Sequence, residues 1–156
     1  MNQLTFREAI ERTPDVANGF RGGLAAFGQY AGKIRVPDSR LIDGSLDIDA
    51  STADKYPQEN RWDYALSYHN EVFYIEIHPA ISSEVSKMIK KLTWLKGWLT
   101  MHAPEIKKLT ATSKNPYYWV QSSNCSIPKH TSQYKAAVQH KILPIPIWDF
   151  SRRKYI

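Results

Sequence analysis

Two short apolar runs joined by a tight turn, with an amphipathic stretch directly after them, constrain the fold most strongly. The runs are 62–68 (WDYALSY) and 72–78 (VFYIEIH), separated by His69-Asn70-Glu71. Their aromatic and β-branched content predicts an antiparallel hairpin. After Pro79, apolar residues recur at i, i+3, i+4 and i+7, which predicts an amphipathic helix over 82–101. The apolar stripe of that helix consists of Val85, Met88, Ile89, Leu92, Leu95 and Leu99.

The rest of the chain completes a mixed α/β (α+β) fold. Residues 41–49 (LIDGSLDID) alternate between apolar and acidic side chains, which predicts a half-buried strand that precedes the hairpin. Further strands are predicted at 117–122 and 143–149, and further helices at 4–12, 14–30 and 131–141. A three-strand meander, a crossover helix and another strand make a mixed central sheet flanked by helices. The length of 156 residues suits a single domain over 1–156.

Composition excludes several classes of protein. With 42% hydrophobic and 23% charged residues, the chain is not disordered. The single cysteine, Cys125, excludes a disulfide framework and fits a reducing compartment. No apolar run approaches the roughly 18 residues of a membrane helix, and the start lacks the apolar region of a signal peptide. We therefore expect a cytoplasmic protein with no membrane partner.

Charge divides the chain into an acidic and a basic half. Residues 1–78 contain 8 Lys+Arg and 12 Asp+Glu, a balance of −4, whereas residues 79–156 contain 13 and 3, a balance of +10. Carboxylates that hold a cation and a basic surface that holds phosphates would suit a metal-dependent enzyme that acts on a polyanion. Many small soluble proteins are basic for no specific reason, so charge alone is weak evidence. Basic and aromatic side chains interleave at Lys107, Lys108, Lys114, Tyr117, Tyr118 and Trp119, and Arg152, Arg153 and Lys154 form a basic tail.

Three polar side chains of the hairpin are candidates for chemistry. Glu76 and His78 are two residues apart, so they share one face of their strand. Asp63 lies near the start of the preceding strand and Glu76 near the end of the next, and these ends are adjacent in an antiparallel pair. A divalent cation, Mg²⁺ or Mn²⁺, would relieve the repulsion between the two carboxylates. Alternatively, Glu76 forms a buried ion pair with a lysine of the following helix, Asp63 caps backbone and His78 bonds to backbone.

These residues carry a resemblance to a known family. Asp63, then Glu76-Ile77-His78 on the next strand, then the helix at 82–101, resembles the core of the PD-(D/E)XK nuclease superfamily. The resemblance implies a restriction-endonuclease-like fold and a nuclease in which Asp63 and Glu76 bind Mg²⁺. His78 would occupy the place of the family's lysine. The proline that usually precedes the aspartate is absent, and Trp62 stands there.

The resemblance also implies two residues outside the hairpin. Many members have a metal-binding glutamate in the first helix, for which Glu8 is the candidate and Glu11 the second choice. A lysine from the following helix could replace the missing motif lysine, and Lys87 is the nearest in sequence. Apart from the resemblance, Asp47 and Asp49 form an acidic pair two residues apart that could bind a cation, although such a face is more typically solvated.

Two functions remain open at this stage. The first is metal-dependent hydrolysis of phosphodiesters in DNA or RNA, with His78 orienting water. The second is a non-catalytic domain that kept the nuclease fold and binds nucleic acid or a protein, which His78 in the lysine position favours. The oligomeric state is open, a homodimer included. Trp94 and Trp98 in the predicted helix are more typical of packing than of function.

Overall fold

A five-stranded mixed sheet organises the computed structural model, which describes residues 3–151. The strand order in this sheet is β1-β3-β4-β5-β6; β2 and β7 form a separate parallel pair. The pairs β1–β3, β3–β4 and β4–β5 are antiparallel, and β5–β6 is parallel. The strands are β1 (Phe20–Arg21), β2 (Ile34–Arg35), β3 (Ile42–Asp47), β4 (Tyr64–Tyr68), β5 (Glu71–His78), β6 (Tyr117–Gln121) and β7 (Trp148–Asp149).

Helices cover both faces of this sheet. The longest, α3, links β5 to the parallel strand β6, as a crossover connection requires. A short 3-10 helix, Ser82–Glu84, leads into α3. The α-helices are α1 (Phe6–Glu11), α2 (Ile48–Thr52), α3 (Val85–His102), α4 (Pro104–Lys107) and α5 (Ser132–Gln139). The mixed sheet with flanking helices expected from the sequence is confirmed.

Alternation along β5 divides the apolar interior into two clusters. Val72 and Tyr74 face a cluster that contains the buried stripe of α3, with Met88 and Leu95. Phe73, Ile75 and Ile77 face a second cluster on the opposite side of the sheet. Because side chains alternate across a strand, Glu76 lies on the face that α3 covers. The predicted hairpin and the packing of α3 on the sheet are therefore confirmed. The turn is shorter than predicted, because Glu71 is the first residue of β5 and pairs with Tyr68.

Two segments differ from the sequence prediction. The single helix predicted over 14–30 is wrong, because the segment contains a 3-10 turn, the strand β1 and a 3-10 helix over Ala25–Lys33. Gly23 and Gly28 have φ values of 52° and 54° there, which a right-handed helix does not accept. The strand predicted over 143–149 is reduced to β7, which pairs with β2. The basic tail at Arg152, Arg153 and Lys154 lies outside the described residues.

None of the helices between residues 3 and 151 combines the length and apolarity needed to cross a bilayer.

Close packing around Gly44, but not around Gly22, predicts that alanine destabilises the protein at the first position only. A Cβ at Gly44 would collide with the Phe20 ring and lie 2.9 Å from the Arg21 carbonyl oxygen, whereas a Cβ at Gly22 meets no atom within 4 Å. We expect Gly44→Ala to lower the free energy of unfolding by about 1–3 kcal/mol, as overpacking does. Gly22→Ala is the matched control and should be nearly neutral. Urea unfolding measures both, and equal effects would contradict the packing at Gly44.

Candidate functional site

Asp63 and Glu76 are held together by the register of the hairpin. Tyr64 pairs with Ile75, so Asp63, the residue before β4, lies beside Glu76 near the end of β5. The Asp63 amide donates to Glu76 Oε1 at 2.9 Å, and the Ile77 amide donates to Asp63 Oδ2 at 3.1 Å. Each carboxylate thus accepts a main-chain N–H from the other strand. The two acids share one site, as the strand spacing indicates.

A lysine of α3 reaches the same carboxylate. Lys91 Nζ donates to Glu76 Oε2 at 2.6 Å. Glu76 is fully buried, and the Lys91 side chain is 14% exposed. A buried carboxylate requires such a partner, since an uncompensated charge in the interior is costly. The ion pair that the sequence left open as an alternative is therefore present, and its cation is Lys91.

His78 lies between two carboxylates. Its Nδ1 is 3.3 Å from Glu76 Oε2, and its Nε2 is 2.5 Å from Glu84 Oε1. The hydrogen bond to Glu76 raises the pKa of His78 above its ordinary value, and the bond to Glu84 adds to this against the opposing effect of burial. In turn, the hydrogen bond from His78 lowers the pKa of Glu84. The arrangement favours an imidazolium at position 78.

Asp63 has no ion pair of its own among the contacts described for this cluster, whereas Glu76 pairs with Lys91 and His78. Burial raises its pKa from 3.8 to about 7, and the negative charge of Glu76 contributes to the same rise. Lys91 opposes the rise through its charge, and the hydrogen bond from the Ile77 amide does so as well. Asp63 therefore takes up a proton close to neutral pH, because two nearby carboxylates resist being ionised together.

The remaining sequence candidates lie elsewhere or are engaged in other contacts. Glu8 forms a capping box with Thr5 at the start of α1: the Thr5 amide donates to Glu8 Oε1 at 2.9 Å, and the Glu8 amide donates to Thr5 Oγ1 at 3.1 Å. Glu11 pairs with Arg7 at 3.3 Å on the exposed side of the same helix. Lys87 is exposed on α3 and acts on Glu84 only through its charge.

Asp47 and Asp49 belong to the start of α2. Asp47 accepts from the Ala50 amide at 2.8 Å as the N-cap, and Asp49 pairs with Arg61 at 2.8 Å. The charge of Asp49 raises the pKa of Asp63 slightly. Within residues 3–151, no three His, Cys, Asp or Glu side chains are grouped so as to hold a metal ion. The donors that the structure brings together are thus the pair Asp63 and Glu76.

The aromatic residues of β6 serve packing. Tyr118 and Trp119 are buried, and Trp119 Nε1 donates to the His78 carbonyl oxygen at 3.1 Å. Tyr117 stacks on Tyr74 with ring centroids 5.5 Å apart. This favours the interpretation of the strand as core over a nucleic-acid surface.

Lys91 and Glu84 belong to the site although neither was among the site residues predicted from the sequence. Lys91 is three residues after the buried Met88 and four before the buried Leu95, so it belongs beside the apolar stripe, whereas Lys87 does not. The spacing of Lys91 from these apolar residues could therefore have identified it as the lysine that faces the sheet. Glu84 is an acid at the start of the predicted helix, a common position for one, and nothing in the sequence indicates its contact with His78.

Comparison with known proteins gives no relative: no family model, no curated protein and no solved structure matches the chain.

Proposed function

We propose that this protein is a metal-dependent nuclease that hydrolyses phosphodiesters in DNA or RNA, on a restriction-endonuclease-like fold. The observation that carries the proposal is the reciprocal main-chain bonding of Asp63 and Glu76, which fixes two carboxylates beside the partly buried Lys91. The position of α3 between β5 and the parallel strand β6 supports the resemblance to the PD-(D/E)XK core. The basic balance of residues 79–156 supports a polyanionic substrate.

The donor set fits Mg²⁺ or Mn²⁺. Mg²⁺ is usually bound by one or two carboxylates, with water and substrate phosphates completing its shell. Asp63 and Glu76 supply that number. Burial is the main cause of the raised pKa of Asp63, and the negative charge of Glu76 is the second cause; a bound cation would neutralise that charge. A cation held by these two residues would polarise the phosphate and lower the pKa of a bound water.

The two cationic side chains have separate roles in this proposal. Lys91, at 2.6 Å from Glu76, takes the place for which the sequence suggested Lys87, and it is positioned to stabilise charge on a bound phosphate. His78 as an imidazolium cannot accept a proton from water, and both of its ring nitrogens face carboxylates. In this proposal it therefore holds the Glu76 carboxylate in position, in place of the water-orienting role suggested by the sequence. Glu84, at 2.5 Å from His78 Nε2, holds the imidazole ring in place.

A cleavage assay with matched variants tests the proposal. Single-stranded, duplex and branched DNA and RNA are incubated with the protein and Mg²⁺ or Mn²⁺, with EDTA as the negative control. We expect cleavage that Asp63→Asn reduces by at least about 10³-fold, as loss of a group essential to the chemical step does. Lys87→Met is the control, because Lys87 is exposed and outside the site, and should retain cleavage. Absence of cleavage on every substrate with both metals would contradict the proposal.

A non-catalytic domain is the second candidate, and one observation favours it. Glu76 is fully buried and already has Lys91 and His78 as partners, which is how a structural ion pair is built. Calorimetry separates the two functions. Uptake of Mn²⁺ by the native protein, lost in Asp63→Asn, supports the nuclease. Binding of nucleic acid without any metal uptake supports the non-catalytic domain.

A further inference from the structure

A small aromatic pocket lies between α3 and the segment after α2. Its volume is about 240 Å³, and its lining includes Tyr56, Glu59, Trp94, Gly97, Trp98 and His102. The Trp94 and Trp98 rings are nearly parallel, 12° apart in plane with centroids at 5.8 Å, and Tyr56 meets Trp94 edge-on at 71°. Drug-sized ligands need roughly 300–1,000 Å³, so the pocket has room for a single flat ring system.

The buried carboxylate of Asp15 accepts hydrogen bonds from two of these aromatic side chains, Tyr56 and Trp98. Asp15, whose side chain is 4% exposed, accepts from the Tyr56 hydroxyl at 2.6 Å and from Trp98 Nε1 at 3.0 Å. Lys55 Nζ bonds to the other oxygen of Asp15 at 2.7 Å. The hydrogen-bonding ends of Tyr56 and Trp98 therefore point toward Asp15. Their orientation is fixed, which lowers the entropic cost of binding a ligand against them.

Gly97 keeps the pocket open. It lies inside the 18-residue helix α3, where glycine costs about 1 kcal/mol relative to alanine. A Cβ at Gly97 would meet no atom within 4 Å, so close packing does not explain the residue. A larger side chain at this position would project into the space that Gly97 lines. The glycine thus leaves room beside the indole rings.

The pocket is on the same helix as the candidate site. Lys90 is exposed and precedes Trp94 by four residues, about one helical turn, so the two side chains are neighbours on the surface of α3. Lys91 is engaged by Glu76 and is not part of this surface. Phosphate contacts next to a stacking surface are the combination by which proteins hold single-stranded nucleic acid. Bases in a duplex are already stacked and paired, so only an unpaired base can enter such a pocket.

We propose that the Tyr56–Trp94–Gly97–Trp98 pocket binds one unpaired base of a single-stranded segment of the nucleic-acid substrate. This rests on the proposed function and specifies its substrate class. The partly exposed Trp94 ring is the flat surface available to a planar ring, and the buried Trp98, which is 3% exposed, supports it by stacking. A methylated ammonium group, by contrast, binds in an aromatic cage whose rings surround the cation on several sides.

The test compares strands with and without bases at fixed charge. Fluorescence anisotropy follows binding of a labelled single-stranded octadeoxyadenylate, and of the same strand with its central bases removed, in EDTA at low salt so that cleavage does not occur. We expect the intact strand to bind more tightly. Trp94→Ala and Gly97→Leu should weaken its binding by about 5- to 100-fold, the range for loss of one stacked base, and should abolish the preference over the abasic strand.

Thr100→Leu is the matched control, because it adds the same side chain to exposed α3 surface outside the pocket, and it should bind as the native protein does. Circular dichroism confirms that each variant is folded. If the native protein binds strands but does not prefer the intact one, or if Gly97→Leu binds normally, the pocket proposal is overturned while the nuclease proposal stands. If no strand binds and no substrate is cleaved, both fail. Competition by tetramethylammonium without any base preference would assign the pocket to a cation.

Discussion

Asp63→Asn is expected to stabilise the folded protein at pH 8 by about 2–4 kcal/mol while removing the proposed metal site. The folded state raises the pKa of Asp63 to about 7 from 3.8, so this residue binds its proton more tightly when folded. Its contribution is least unfavourable below pH 4, becomes worse as pH rises through the window from 4 to 7, and is constant above it. Asparagine carries no charge and keeps a carbonyl oxygen for the Ile77 amide.

The measurement is urea unfolding of native and variant protein at pH 4 and pH 8. The variant should gain stability at pH 8 and gain little at pH 4, where the native Asp63 is protonated as well. A gain of the same size at both pH values, or a loss at pH 8, would show that burial and the charge of Glu76 do not act on Asp63 as the structure indicates. A functional residue that costs stability is the expected pattern for a binding site held ready for a charged ligand.

The local parts of the fold could be predicted from the sequence because short-range periodicity determines them. Alternation across the hairpin and the apolar stripe of α3 fix both elements and the faces they bury. The convergence of the two strand ends could be predicted, but the exact partner could not. The predicted turn over 69–71 would put Asp63 opposite Ile77, whereas the two-residue turn of the structure, with Tyr68 paired to Glu71, puts it beside Glu76. The capping box was also readable, since Thr5 and Glu8 have the T-x-x-E spacing of that motif, and it gives Glu8 a local partner.

The parts that could not be predicted depend on contacts between distant segments. The pairing of β2 with β7 joins residues more than 100 positions apart, and neither two-residue strand has a periodic signal. The segment 14–30 has apolar residues at helical spacing, but Gly23 and Gly28 adopt positive φ and end regular helix there. The contact of Glu84 with His78 depends on the angle at which α3 leaves β5. Packing of the whole helix sets that angle, so the segment between His78 and Glu84 does not by itself predict their contact.

Lys91→Met is expected to lower the free energy of unfolding by about 3–5 kcal/mol, the largest loss among the charged positions discussed. Glu76 is fully buried, and without Lys91 its carboxylate keeps only the Asp63 amide and His78 as partners. Removing one member of a buried pair leaves an uncompensated charge, which costs far more than the pair itself is worth. Arg7–Glu11 on α1, at 3.3 Å and exposed, is the matched surface pair, and Arg7→Met should cost less than about 1 kcal/mol.

The double variant Glu76→Gln/Lys91→Met shows whether the loss comes from the unpaired charge. Glutamine keeps an oxygen for the Asp63 amide and carries no charge, so the double variant should recover most of the stability that Lys91→Met loses. Urea unfolding of the native protein, both single variants and the double variant gives the coupling free energy, expected at about 2 kcal/mol or more because the two side chains are in direct contact. A coupling near zero would mean that Glu76 is hydrated in solution. In that case Lys91 would be a surface lysine, and the buried ion pair would have no part in holding α3 against the sheet.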